Sequence, residues 1–308
     1  MKREKIVLDC DPGHDDALAI LLAGASEELE LLGITTVAGN SCIEDTTNNA
    51  LVITELAHMD VPVCKGASKP LVRDQITAPN IHGKSGLDGA DLPKARGKAE
   101  KWAIDFIADK IQKNPGEVTL VSTGPMTNLA LFILGHPDLC YQVKGIVAMG
   151  GGIAFGNTTP VAEFNIYADP EAAQIVFNSG IPLTIFPLDV THQSRIYLDE
   201  IEEIKKFPSD IVAKMGALLK FFYGTYRDVF AIDGAPLHDP CTIAFLIDHG
   251  LFEFEEYYSQ VEIRGGLTYG QTVVDYWKLS GKRANAKWAV KVDRDGYVDL
   301  IFRYLRRY

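Results

Sequence analysis

Lys5-Ile6-Val7-Leu8-Asp9-Cys10-Asp11-Pro12-Gly13-His14-Asp15-Asp16-Ala17-Leu18-Ala19-Ile20 is the stretch that decides the fold. Its first half is a short apolar run without alternation, the pattern of a strand buried on both faces by helices. Pro12-Gly13 turns the chain, and a helical run from Asp16 to Ala25 follows. Asp9, Asp11, Asp15 and Asp16 therefore crowd the point where a strand ends and a helix begins. Asp9 and Asp11 are i and i+2, so they leave on one side if the strand continues. Like charges this close repel unless something positive sits among them. All-oxygen donors suit a hard cation, Ca²⁺ or Mg²⁺. Capping the helix would use one or two of these aspartates, and the surplus points to a metal-centred site.

The same alternation continues outward. Strands are expected at Lys5–Asp9, Leu31–Val37, Val61–Val63, Val118–Ser122, Gly145–Met149 and Leu183–Pro187. Helical patterns cover Asp16–Ala25, Ile43–His58, Glu100–Asn114, Thr127–Leu134, Pro170–Ser179, Ser209–Asp228 and Pro240–Asp248. Asp169-Pro170-Glu171 is a capped helix start and Gly180 a stop. β-α alternation of this kind gives an α/β fold, a single-domain open doubly wound, Rossmann-like, mostly parallel sheet spanning residues 1–308. Beyond residue 250, Val261–Arg264, Thr272–Tyr276 and Lys287–Val292 read as strands that form a small hairpin layer or extend the main sheet. The stretch 66–97 is rich in Gly and Pro and has no clear period, which suits a mobile active-site loop or a surface excursion.

Composition narrows the partners. With 47% hydrophobic and 23% charged residues the chain is an ordinary globular one. Thirty Lys and Arg against 41 Asp and Glu give a net charge of −11, which argues against nucleic acid and anionic membrane surfaces. Cys10, Cys42, Cys64, Cys140 and Cys241 are odd in number and widely spaced, as in a reducing compartment. No apolar run reaches spanning length, and the start of the chain is too short for a signal-peptide core. The cytoplasm is the expected location.

In open α/β sheets ligands bind beyond the carboxyl ends of the strands, so polar residues there are the candidates. The second strand runs into Val37-Ala38-Gly39-Asn40, where Asn40 is equally readable as a turn residue. The fourth runs into Ser122-Thr123-Gly124-Pro125, whose bend frees carbonyls for a cation. The fifth runs into Met149-Gly150-Gly151-Gly152, where backbone or ligand can approach closely. This is neither GxGxxG nor a Walker motif. Asn157 and Glu163-Phe164-Asn165 follow, and amides beside a carboxylate suit sugar hydroxyls as well as a hydrogen-bonded loop. Late in the chain, His238-Asp239 precedes a helix. Asp239 reads as a cap or as a distant metal carboxylate, and His238 as a proton donor or a structural imidazole. No GxSxG elbow supports a Ser-His-Asp hydrolase.

Together these segments resemble the nucleoside hydrolases, the inosine-uridine-preferring and pyrimidine-preferring N-ribohydrolases. The likeness rests on Asp9-Cys10-Asp11-Pro12-Gly13-His14-Asp15-Asp16-Ala17, Val37-Ala38-Gly39-Asn40, Ser122-Thr123-Gly124-Pro125-Met126-Thr127-Asn128, Met149-Gly150-Gly151-Gly152, Ala162-Glu163-Phe164-Asn165 and Leu237-His238-Asp239-Pro240, in the family's order. The resemblance implies hydrolysis of the N-glycosidic bond of uridine, cytidine or inosine to ribose and free base, for nucleoside salvage or catabolism. It implies one Ca²⁺ per subunit, held by Asp11, Asp16, Asp239 and the carbonyl of Thr123. Asp15 and Asn165 would bind the 2′-hydroxyl, Asp239 the 3′-hydroxyl, and Asn157 and Glu163 the 5′-hydroxyl. Asn40 would line the ribose pocket, Asp11 would be the general base, and His238 would lie beside the leaving base. A homodimer or homotetramer is implied as well.

Two departures stand out. The loop run His82-Gly83-Lys84-Ser85-Gly86 carries Lys84 where the family often has an acid. Tyr226 and Phe230 occupy the places at which pyrimidine-preferring members can carry Gln and Tyr. Two other functions fit parts of the pattern. One is a metal-dependent phosphatase using Asp9 or Asp11 as nucleophile, and the other is a non-catalytic ribose- or nucleoside-binding protein.

Overall fold

A strand that is apolar on both faces must lie inside a sheet, and β1 (Glu4–Cys10) does. In the computed structural model, which describes residues 3–308, β1 pairs in parallel with β2 (Leu29–Thr36) on one side and β4 (Val118–Ser122) on the other. Ile6 and Leu8 enter one hydrophobic cluster and Val7 the opposite one. Full burial of such aliphatic side chains contributes about 1.5–3 kcal/mol each, which is why the buried part of the strand before Asp9, Ile6–Leu8, carries no polar residue.

The remaining strands are β3 (Val63–Lys65), β5 (Gly145–Met149), β6 (Leu183–Phe186), β7 (Arg195–Ile196), β8 (Ala235–Pro236), β9 (Phe252–Tyr257), β10 (Ser259–Val261), β11 (Thr272–Val274) and β12 (Ala286–Val292). Eight of the strands form one sheet in the order β3-β2-β1-β4-β5-β6-β12-β9. All its pairings are parallel except β12 with β9. The order runs outward in opposite directions from β1 and β4, so the topological switch point, where such sheets bind ligands, falls between these two strands. There the N–H of Thr123 donates to the Asp9 carbonyl at 2.8 Å.

Several expectations need correction. The third strand begins at Val63, where the run anticipated at Val61–Val63 ends, because Pro62 offers no N–H to a ladder. Val261–Arg264 is strand only at Val261, and Thr272–Tyr276 only to Val274; β10 and β11 pair as a separate antiparallel hairpin. β12 extends the main sheet and β9 adds an antiparallel edge. Its alternation of acids and aromatics, Phe252-Glu253-Phe254-Glu255-Glu256-Tyr257, was a strand signal passed over. So was the last helix, Arg294–Leu305, capped by the Asp293 carboxylate on the Gly296 N–H. Tyr297, Val298, Leu300, Ile301, Tyr304 and Leu305 bury one stripe of it at helical spacing. The anticipated cap at Asp169 is present, accepting from the Ala172 N–H. Within 66–97, Pro79–His82 forms a single helical turn. All five cysteines are free thiols. Among the described residues no helix is long and apolar enough to cross a membrane.

Candidate active site

The carboxyl ends of β1, β2 and β4 grip Asp11 between them. Its Oδ2 accepts the Asn40 N–H at 2.7 Å, while its Oδ1 is buried without a hydrogen-bond partner. A Cβ at Gly39 would lie 2.0 Å from Oδ2, and one at Gly124 would lie 2.5 Å from Oδ1. Only glycine leaves room for this carboxylate at both strand ends. Asp9 points elsewhere, toward β2: its Oδ1 accepts from Thr35 Oγ1 at 2.5 Å and Asn128 Nδ2 at 2.7 Å, and its Oδ2 has no partner.

Asp15 and Asp16 come from the first turn of the His14–Ala25 helix. Asp16 accepts from the Gly13 N–H at 2.9 Å and from Thr123 Oγ1 at 2.7 Å. Asp239 arrives from 223 residues further on, ahead of the Pro240–Ile247 helix. It occupies the cap position, yet its side chain makes no cap hydrogen bond. Instead, carboxylate oxygens of Asp15, Asp16 and Asp239 lie within 4.8 Å of one another, all buried. Burial, reinforced by the neighbouring carboxylates, pushes Asp15 up to about 7 and Asp11 and Asp239 well above the usual range. Burial alone is the leading cause for Asp16, raised to about 6. Without a counter-charge these groups favour the protonated form.

A cavity of about 320 Å³ opens above the cluster. Asp15, Asn40, Thr123, Asn157, Glu163, Asn165, His238 and Asp239 line it, whereas Asp11 and Asp16 are not among its lining residues. Asn165 Nδ2 donates to the Thr123 carbonyl at 2.8 Å. Glu163 caps the Phe164–Ala168 helix, accepting from the N–H groups of Gly151, Asn165 and Ile166. Burial lifts it to about 7 against those three donors. Asn157 Oδ1 accepts from the Phe164 N–H at 2.9 Å. The hydrogen-bonded-loop reading of Asn157 and Glu163 is thus satisfied, and both still face the cavity with lone pairs to spare.

No Lys or Arg is among the residues lining the cavity. The buried orphan oxygen of Asp11, three converging carboxylates and the Thr123 carbonyl together make an all-oxygen donor set that fits a hard divalent cation. The family resemblance groups Asp11, Asp16 and Asp239 with Thr123. The tightest trio replaces Asp11 with Asp15, and Asp11 adjoins it through Asp16.

The far end of the cavity is different. His238 Nδ1 lies 2.7 Å from Thr191 Oγ1 and Nε2 lies 2.6 Å from Tyr226 Oη. Burial keeps this imidazole well below its usual range, so it is neutral. Phe222, Tyr226 and Phe230 from the Asp210–Phe230 helix complete this wall with Asn80, Ile81 and His82. Sequence reasoning missed Thr191, Phe222 and Asn80 as site residues. Thr191 carries no local signal, because a single Thr gains a role only through a partner 47 residues away.

The sequence model described as "Inosine-uridine preferring nucleoside hydrolase" matches residues 6–299. The pyrimidine-specific ribonucleoside hydrolase RihA of Salmonella arizonae is 48% identical over 306 residues, covering 98% of both chains. RihA of Shewanella baltica is also 48% identical, over 98% of this chain and 96% of its own. Among solved structures, the purine-preferring ribonucleoside hydrolase of Gardnerella vaginalis superposes with a TM-score of 0.92 at 34% identity, covering 98% of each chain.

Proposed function

Because this chain belongs to the inosine-uridine preferring nucleoside hydrolase family, and is an enzyme that hydrolyses N-glycosyl bonds of ribonucleosides, we propose that its substrates are pyrimidine ribonucleosides and that its cation is Ca²⁺. The observation that carries this reading is the cavity itself. A floor of uncompensated carboxylates shares the cavity with the amides of Asn40, Asn157 and Asn165 and with a neutral Tyr226–His238 pair. The relatives at 48% identity are named pyrimidine-specific, and the purine-preferring structure is more distant at 34%.

Asp11, Asp16, Asp239 and the Thr123 carbonyl would hold the cation, with Asp15 beside them. When bound it supplies positive charge that acidifies a water molecule and anchors neighbouring hydroxyls. The protein's own residues do the rest. Asp11 takes the proton from the attacking water. Asp15 and Asn165 hold the 2′-hydroxyl, Asp239 the 3′-hydroxyl, Asn157 and Glu163 the 5′-hydroxyl, and Asn40 closes the ribose wall. Fixing the sugar in this way is catalysis by positioning. The carboxylates also stabilise the positive charge that develops on the ribosyl ring as the bond to the base lengthens. The leaving base needs a proton: Tyr226 Oη would give up its own, the phenolate so formed being held by His238 Nε2–H, and would regain it from solvent once the base has left.

The phosphatase reading, with Asp9 or Asp11 as nucleophile, is disfavoured because Asp9 is turned onto Thr35 and Asn128 and no Lys or Arg lines the cavity to hold a phosphate beside Asp11. The decisive experiment incubates the purified protein with uridine, cytidine, inosine and adenosine. Reducing sugar is measured before chelation, after chelation, and after return of Ca²⁺ or Mg²⁺. Ribose release from uridine or cytidine, lost on chelation and restored best by Ca²⁺, is the expected result. Release from purine nucleosides alone, or insensitivity to chelation, overturns the reading.

A further inference from the structure

The cation site accounts for Asp11, Asp15 and Asp16 of the N-terminal motif but not for Gly13 and His14, which lie between them. Both face His82. A Cβ at residue 13 would sit 2.5 Å from His82 Nδ1, so the glycine makes room for that ring. His14 Nδ1 lies 3.1 Å from the same nitrogen. The His14 ring stacks on Phe221 and Phe222 as well as on His82, with centroids 5.3–5.5 Å apart. It is fully buried at the positive end of its helix, where an imidazolium is disfavoured by both desolvation and the dipole.

The partners then fix the protons. His14 Nε2 lies 2.7 Å from the Asp88 carbonyl oxygen, which can only accept, so a neutral His14 carries its hydrogen on Nε2. Its Nδ1 is left with a lone pair. His82 Nδ1, 3.1 Å away, must therefore be the donor. The His14 backbone N–H also faces His82 Nδ1, at 3.3 Å. That contact is the longest of the three and gives way: losing it carries the desolvation cost of an unpaired buried first-turn N–H, but keeping it would set the two Nδ1 lone pairs against each other at 3.1 Å. His82 is left with Nε2 unprotonated. Among the described residues this nitrogen has no hydrogen-bond partner, and His82 lines the cavity.

We propose that His14 is a positioning residue for base recognition: it holds His82 as the Nδ1–H tautomer, so that the cavity meets a lone pair at Nε2 and selects a pyrimidine that offers it an N–H. Such a donor is the 4-amino group of cytosine or the N3–H of uracil. The Asp88 carbonyl anchors the arrangement, and Asp88 is itself pinned by its carboxylate accepting from the Lys84 N–H and from the Ser85 N–H and Oγ. The recognition step rests on the pyrimidine reading above, whereas the tautomer does not.

The test has two arms. In the first, the full chain labelled with ¹⁵N-histidine is read by long-range ¹H–¹⁵N correlation at mildly alkaline pH, with His14→Phe and His82→Gln used for assignment. His82 is expected as Nδ1–H and His14 as Nε2–H. Free imidazole side chains favour Nε2–H, so His82 found in that form overturns the proposal. In His14→Phe, which keeps a flat ring in the stack, His82 should revert to Nε2–H and accept the residue 14 N–H. The second arm compares kcat/KM for cytidine and for the riboside of unsubstituted pyrimidin-2-one, which adds no bulk and has no N–H on its base. The ratio should fall about tenfold in His14→Phe, the intrinsic difference in leaving group cancelling between the two proteins. An unchanged ratio overturns the recognition step. Hydrolysis of neither riboside by the wild type would instead sink the substrate assignment, and the tautomer arm would still decide the lock.

Discussion

The two ends of the cavity are built on opposite principles. At the ribose end, Asp11, Asp15, Asp16 and Asp239 are buried acids, Asp11 and Asp16 held by backbone N–H groups and a hydroxyl, with no side-chain cation among the lining residues. At the base end, Tyr226 and His238 are neutral groups bonded to each other, each ring nitrogen of His238 having its own partner, and His82 is held by His14. One end stores charge for something positive, and the other fixes shape and proton positions for something neutral. The difference matches the reaction proposed above, in which positive charge grows on the sugar while the base departs as a neutral molecule.

The largest effect that could break this contrast comes from Asp11. If the ribose end works by charge and general-base action, Asp11→Ala lowers kcat/KM by about three orders of magnitude or more for every ribonucleoside alike. Steady-state ribose release checks it. Unchanged turnover would remove Asp11 from the chemistry, and a loss confined to one base would place it at the wrong end.

The two ends also differed in how far they could be read from sequence. The ribose end is announced by its own motif, because four acids in eight residues contradict local electrostatics and ask for a remedy. β1 and β4 are legible for a similar reason, each being a short apolar run ended by turn residues. The base end has no such local contradiction. Tyr226 and Thr191 become meaningful only when the fold brings them to His238, 12 and 47 residues away. His82 was visible as a loop residue, but its contact with His14 bridges 68 residues. The Arg294–Leu305 helix was missed because its charged residues interrupt a buried stripe that becomes clear only at helical spacing.

Glu163 sits on the ribose side and tests whether charge there is suppressed until something positive arrives. Its folded-state pKa is raised from 4.5 to about 7, so between those values the folded state binds a proton that the unfolded state has released. Stability from this group is fully present below about pH 4.5 and is lost as pH rises through about 7. Glu163→Gln is neutral throughout. Relative to that variant, chelated wild type should therefore lose up to about 3 kcal/mol between pH 4 and pH 8, measured by chemical denaturation. A constant difference, or one running the other way, would mean that the three N–H donors outweigh burial and that the carboxylate is charged even without a cation.

Tyr226 gives the smallest effect and the sharpest separation of the two ends. Its hydroxyl is 2.6 Å from His238 Nε2, and burial with the nearby carboxylates keeps the phenol well above its usual range, so it still holds its proton when the substrate arrives. Tyr226→Phe removes one oxygen and leaves that nitrogen facing a hole. If the pair delivers a proton to the base, kcat for uridine or cytidine should drop about ten- to a hundredfold, the usual scale for general acid catalysis weakened but not abolished. The same variant should act on p-nitrophenyl riboside at nearly the wild-type rate, because p-nitrophenolate leaves without a proton while the sugar still needs every contact at the ribose end. Equal losses on both substrates would show that Tyr226 only shapes the cavity. They would also erase the division of labour, since a merely structural hydroxyl at the base end would be felt by the ribose chemistry too.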